Sequence, residues 1–357
     1  MIYLVGFAVS LILAALFVPL VKRFAFRVGA VDKPSKIARK IHTKTMARGG
    51  GIAIFLSFLI VNLALIGLHW WQFWGLIAAS TIVMAVGLLD DIKRLPATTK
   101  LIVQVLAAFV AIFIFGIQIE GLSNPFTQGV LAFDPHITFA LLHHTIQINI
   151  IAVIITTIWL VGMTNTMNFV DGIDGLSGGV AAIAAFVMFA LAIGPKVDQP
   201  QTAVVAIVLA GGCLGYLIYN FHPAKIFNGD SGAYFLGMAL GILAIFSGAK
   251  LATAALVLGV PIIDATWAAL RRILRGRSPF SADRGHLHHL LLDVGLSQRQ
   301  AALLIYALCA VFGGIALIAS PEQKLVAIFS LVILIMLLFL LLTLLRRRKT
   351  QNKSQLP

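Results

Sequence analysis

Five polar islands interrupt an otherwise apolar chain, and they hold nearly every residue able to do chemistry. GLLDDIKRL sets Asp90 and Asp91 side by side at the end of an apolar run. Adjacent carboxylates raise each other's pKa unless a cation is close, so the pair reads as a divalent-ion ligand, a proton acceptor or a solvated helix end. NTMNFVDGIDGLSGG, residues 165–179, spaces Asn165, Asn168, Asp171 and Asp174 at three-residue intervals. A helix would gather them near one face, although Gly172 and Gly175 suit a tight loop equally. NFHPAKIFNGDSGAYFLG, residues 220–237, puts Asp230 among small residues at the mouth of a span, where helix amides favour an anion. Phe227, three residues earlier, is either a stacking platform for a base or an apolar loop anchor. Acid and amide oxygens select a hard ion, Mg2+ or Mn2+, over Zn2+.

Two further islands are basic. Residues 271–300 carry six arginines with His286, His288 and His289. Arginines at this density grip a diphosphate, and imidazoles add hydrogen bonds. A zinc site is disfavoured because no cysteine or fourth spaced histidine accompanies the triplet. Residues 31–51 are rich in Lys and Arg and end in Gly49-Gly50-Gly51, a second place where helix amides could receive an anion. Asp264 stands apart, inside an apolar run; it is either functional or paired with a nearby arginine.

The elements that must carry these residues are membrane helices. Of 357 residues 60% are hydrophobic and 11% charged, with mean hydropathy +1.00, a composition that belongs in lipid. It excludes disordered, collagen-like and disulfide-rich secreted classes, and Cys213 and Cys309 lack any pairing or metal-ligand spacing. A net charge of +14 raises the question of sidedness rather than of nucleic acid, which is not an expected partner. A span needs about 20 apolar residues, and eleven runs are expected to supply one: 2–20, 50–68, 72–89, 100–118, 148–165, 176–194, 202–219, 232–249, 251–270, 301–319 and 325–345. The break near Lys250 could instead be a bend, and 119–147 could lie at the interface. Alternate loops then divide the charge sharply. One set holds 24 of the 27 Lys and Arg and 9 of the 13 acids. The positive-inside rule therefore puts the N-terminus outside, the C-terminus in the cytoplasm and all five islands on the cytoplasmic face. The expectation is an all-α, polytopic helical bundle over residues 1–345 with a basic cytoplasmic tail, 346–357, and no cleaved leader.

VDKP followed by RKIH, then GLLDDIKRL, NTMNFVDGIDGL, NGDSG with FLG, and PFSADRGHLHHLLL, in this order and on one face, resemble the polyprenyl-phosphate N-acetylhexosamine-1-phosphate transferases of bacterial cell envelopes. VDKP and HLHH look like the branch that begins teichoic acid or O-antigen assembly, the alternative within the superfamily being a phospho-MurNAc-pentapeptide transferase. A polytopic transporter is the rival from another class. The resemblance implies transfer of GlcNAc-1-phosphate from UDP-GlcNAc to undecaprenyl phosphate, giving undecaprenyl-diphospho-GlcNAc and UMP at the bacterial cytoplasmic membrane. It implies Mg2+ held by Asp230 with Asn168 or Asp91, and Asp90 orienting or deprotonating the lipid phosphate. Lys100 would contact phosphate or merely snorkel from a span end. Phe227 and Asp174 would bind uracil and Asp171 would support the sugar or nucleotide. Arg284, His286, His288 and His289 would secure diphosphate and sugar. The expected partners are the two substrates and membrane lipid, with a homodimer left open.

Overall fold

The computed structural model describes the chain except residues 35–43, 125–129, 135, 142–143, 196, 248–250, 277, 279–284 and 355–357. In chain order the helices are α1 Ile2–Val28, α2 Gly51–Ile66, α3 Trp71–Lys93 and α4 Ala97–Phe109, the last continued by a π-helical turn, Val110–Ile114. There follow α5 Ile150–Val170, α6 Leu176–Ala192, α7 Pro200–Asn220, α8 Gly229–Phe246, α9 Leu251–Val257, α10 Gly259–Ile273, α11 Leu287–Val294, α12 Gln298–Ile318 and α13 Pro321–Ser354. Three small antiparallel pairs complete the described residues. β1 (Val31–Asp32) pairs with β2 (Met46–Ala47), β3 (Gly121–Ser123) with β4 (Val130–Ala132), and β5 (Ile137–Leu141) with β6 (His144–Ile148). The stretch 119–147 thus folds largely as two hairpins rather than as a span.

Among the described residues eight helices are long and apolar enough to cross a membrane, which makes this a multi-pass membrane protein. α9 and α10 form a ninth unit bent by 80°. The bend falls at Leu258, just before Gly259 and Pro261, where proline lacks the N–H that would continue the ladder. Each of the eleven expected runs has a helical counterpart, but α2 and α6, at 16 and 17 residues, fall short of the length test. Length and composition therefore support eight spans, or nine with the bent pair, against eleven expected.

Burial grades the helices by position. In its most apolar window 89% of α8 is buried, against 28% for α1, so α8 is the axis of the bundle and α1 faces lipid. α8 packs on α3, α5 and α2, and α7 fills the space between α1 and α6. Lipid tails offer no hydrophobic drive for these contacts, so close approach through small residues carries them. Gly87 on α3 is one such point: a Cβ there would stand 2.6 Å from the backbone of Asp230 and Ser231. Gly51 at the start of α2 is another: a Cβ there would stand 2.0 Å from the Cα of Gly232. Both contacts lie beside Asp230, so helices approach closely where the acids gather.

Candidate functional site

The ends of α3, α5 and α7 and the starts of α4, α6 and α8 meet at one end of the bundle. Asp90 lies in the last turn of α3, which stops at Arg94 in a left-handed conformation (φ 53°), two residues before Pro96 opens α4. That reversal folds Lys100 back onto the helix it follows. Its Nζ lies 2.9 Å from Asp90 Oδ2 and 3.6 Å from Asp230 Oδ2, so one ammonium spans two carboxylates. The Leu95 N–H donates to Asp90 Oδ1 at 2.5 Å, and Asn168 Nδ2 donates to Asp230 Oδ1 at 3.1 Å. Asp230 and Lys100 keep 21% and 22% of their side-chain surface, so this group opens outward.

Asp91 behaves differently. Its side chain is wholly buried and both oxygens are taken. Oδ1 accepts from the Asp230 N–H at 3.0 Å and from Arg48 Nη1 at 3.3 Å; Oδ2 accepts from the N–H and hydroxyl of Ser231 at 3.2 and 2.9 Å. A helix start leaves amides without intrahelical partners, and here a carboxylate from another helix receives two of them. Asp91, expected beside Asp230 as an ion ligand, is in this arrangement a cap that fixes α8 on α3.

Arg48, not singled out from sequence, completes this layer. It lies 3.7 Å from Asp32 and 3.3 Å from Asp91, and although burial disfavours its charge, the surrounding Asp91, Asp230 and Asp32 raise its pKa above the usual guanidinium value. Its signal in the sequence was its place directly before Gly49. The glycines do not form the expected anion cradle: Gly49 and Gly51 donate to the Asn228 carbonyl and Gly50 to that of Phe227. These bonds, with the Phe227 N–H donating to Ala47, zip the loop before α8 onto the entry of α2.

A second group surrounds the 171–175 turn, which is a tight loop and not a continuous helical face. The Ser177 hydroxyl donates to Asp171 at 2.5 Å and itself accepts from Asn228 Nδ2 at 3.2 Å. Burial pushes Asp171 up to about 7, with the negative charges of Asp91 and Asp174 adding to it against the pull of Ser177 and Arg48. Asp174 Oδ2 lies 2.7 Å from His222 Nδ1 and accepts the Ala224 N–H at 3.1 Å, so it ties the 221–228 loop to the turn. Tyr306 donates to the Gly175 carbonyl at 2.5 Å and Asn220 accepts the Gly175 N–H at 3.0 Å. Phe227 sits half-buried in the same loop. His222 is the second residue that sequence reasoning passed over; only its place in NFHP marked it.

The histidine triplet lies at the start of α11: His286 is its N-cap, and His288 and His289 lie in its first turn. His288 packs so closely that a Cβ at Gly172 would stand 2.1 Å from its Nε2. Burial, with His289 and His286 beside it, holds His288 well below the usual imidazole pKa. Asp264 is engaged: it lies 3.1 Å from His286 Nδ1 and accepts the Leu287 N–H at 2.9 Å. Its expected arginine partner is reached through His286, whose Nε2 lies 3.1 Å from Arg272 Nη2. Arg284 lies outside the described residues.

Among the described residues no group of three or more His, Cys, Asp or Glu side chains converges as a metal cage. That is compatible with Mg2+, which takes one or two carboxylates together with substrate phosphate and water. Asp230, with Asn168 and Asp90 close by, offers such a partial set of hard oxygens, whereas Asp91 has no open oxygen.

The sequence has relatives among curated proteins. Residues 73–248, which hold the acid pair, the 171–175 turn and α8, match the family model described as glycosyl transferase family 4. A "Probable undecaprenyl-phosphate N-acetylglucosaminyl 1-phosphate transferase" of Bacillus subtilis (strain 168) is 34% identical over 339 residues, covering 92% of this chain and 88% of the relative. The decaprenyl-phosphate N-acetylglucosaminephosphotransferase of Mycolicibacterium smegmatis is 31% identical over 80% of this chain and 74% of its own length. The undecaprenyl-phosphate alpha-N-acetylglucosaminyl 1-phosphate transferase of Yersinia pestis is 26% identical over 88% and 84%. With a relative this similar over nearly its whole length, the chain belongs to the polyprenyl-phosphate N-acetylhexosamine-1-phosphate transferase family.

Proposed function

We propose that the protein transfers GlcNAc-1-phosphate from UDP-GlcNAc to undecaprenyl phosphate, the first membrane step of a teichoic acid or O-antigen type polymer. An oxygen of the lipid phosphate attacks the β-phosphorus of the donor, a new P–O bond forms, the bond to the α-phosphate oxygen breaks, and UMP leaves. The observation that carries this reading is the convergence of Asp90, Lys100, Asn168 and Asp230 from four helices at one end of a membrane bundle. Only a site at that boundary reaches both a lipid phosphate and a soluble nucleotide sugar. The charge asymmetry of the loops supports the cytoplasmic side for it.

Phosphoryl transfer asks for positioning and for neutralisation of spread negative charge. Asp230 and Asn168 would hold Mg2+ against the diphosphate, where the ion supplies charge neutralisation. Asp90 orients or deprotonates the lipid phosphate, and Lys100, between the two acids, is placed to follow the phosphate oxygens. Phe227 stacks on uracil and Asp174 fixes the loop that carries it. Asp171 supports the sugar or nucleotide. Arg48, anchored by Asp91, adds positive charge at the same end, and His288 and His289 are the imidazoles that would face the diphosphate.

The test is direct. Purified protein in lipid nanodiscs, mixed with UDP-GlcNAc, undecaprenyl phosphate and Mg2+, should release UMP and form a lipid product with the mass of the diphospho-GlcNAc species. Asp230→Asn should lower turnover by at least about 100-fold with expression unchanged, the scale of losing one electrostatic partner of the transition state. Undiminished turnover would remove Asp230 from the site, and a donor panel with mass detection tests the sugar in the same assay.

A further inference from the structure

Both ring nitrogens of His286 are occupied inside the protein. Nδ1 faces Asp264 Oδ2 at 3.1 Å and Nε2 faces Arg272 Nη2 at 3.1 Å. A guanidinium has donors only, so Nε2 must accept from Arg272, and the ring proton therefore sits on Nδ1 and is donated to Asp264. The other oxygen of Asp264 accepts the Leu287 N–H at 2.9 Å, the first amide of α11. All three side chains are almost fully buried, at 3% exposure for Asp264, 4% for Arg272 and 5% for His286. The imidazole also lies 5.6 Å from the Phe169 ring and stacks within 10° of the His288 plane.

A side chain with both nitrogens committed and its faces covered has nothing left to offer a diphosphate. We infer that Asp264, His286 and Arg272 form a buried positioning relay in which Asp264 fixes the Nδ1-protonated tautomer of His286, and the relay sets α11 so that His288 meets the 171–175 turn. Asp264 thereby does for α11 what Asp91 does for α8: an acid within one helix receives amide N–H at the start of another, one for Asp264 and two for Asp91. His286 is a positioning residue, and of the triplet it is His288, packed against Gly172, that meets the acid turn.

The relay can be read without turnover. In full-length protein labelled with 15N-histidine, long-range proton–nitrogen correlation should show the Nδ1–H pattern for His286, assigned by its disappearance in His286→Asn. Two isosteric variants then ask which nitrogen matters. The amide donor of His286→Asn stands where Nδ1 does, and that of His286→Gln where Nε2 does. His286→Asn should keep at least tenfold more kcat/KM than His286→Gln, and Asp264→Asn should lower kcat at least tenfold while disturbing the His286 ring pattern. An Nε2–H pattern in the unmodified protein, equal losses in the two His286 variants, or the reverse order would overturn the relay. The turnover arm rests on the proposed transferase activity; the spectral arm does not. Wild-type protein that shows the Nδ1–H pattern yet transfers nothing from UDP-GlcNAc would sink the activity and leave the relay standing.

Discussion

Asp90 and Asp91 are neighbours in sequence with opposite duties. One faces Lys100 and the open side of the site; the other receives two amides, a hydroxyl and a guanidinium. Their adjacency was legible from sequence, their division of labour was not, because successive side chains on a helix point about 100° apart and only the partner helix decides which is buried. Asp91→Ala leaves the α8 start without its acceptor and Arg48, among the described residues, with Asp32 alone, and should cost about 2–4 kcal/mol of stability, visible as a lowered melting temperature. Asp230→Ala should leave the melting temperature near that of the parent while stopping turnover. Asp171 gives a pH signature. Its folded pKa of about 7 lies above the unfolded value of 3.8, so the stability it contributes is complete below pH 4 and is lost as pH rises toward 7. Asp171→Asn should therefore stabilise the protein most above pH 7, by up to about 4 kcal/mol and visible as a raised melting temperature, with the gain shrinking as pH falls to 4. Thermal scans at pH 4, 6 and 8 check this.

At the scale of elements, glycines decide where helices touch. Gly87 lets α3 lie against the backbone at Asp230, and Gly51 lets α2 reach Gly232. Gly87→Val should separate α3 from α8, lowering both turnover and melting temperature, whereas Gly162→Ala, with nothing near its Cβ, should change neither by much; a size-exclusion and activity comparison of the two variants tests it. Apolar runs and their polar breaks made the helices readable in advance. What escaped was local: the 80° bend before Gly259, the short α2 and α6, the hairpins within 119–147, and the backbone zipper that uses up the amides of Gly49–Gly51. Each depends on a neighbour that hydropathy does not reveal. Asp264 shows the same limit, since its partner His286 is 22 residues on and meets it only when α11 folds back over α10.

For the whole molecule, the segregation of charge and the gathering of acids describe one polarity. The ends of α3, α5 and α7 and the start of α8 hold the site, so tags placed beside Lys93 and Lys225 should be accessible from the same side as residue 350, and a tag beside Leu68 from the opposite side. Impermeant thiol labelling of single introduced cysteines reads this, since Cys213 and Cys309 are buried. A label pattern that separated Lys93 from Lys225 would dismantle the shared site. The contact between Asp91 and the start of α8 joins residues 139 positions apart in the chain. A ribosome-bound chain that has inserted only its first half therefore carries the acid pair but no reactive centre, and substrates cannot be turned over by an unfinished or misassembled copy until the central helix arrives to be clasped.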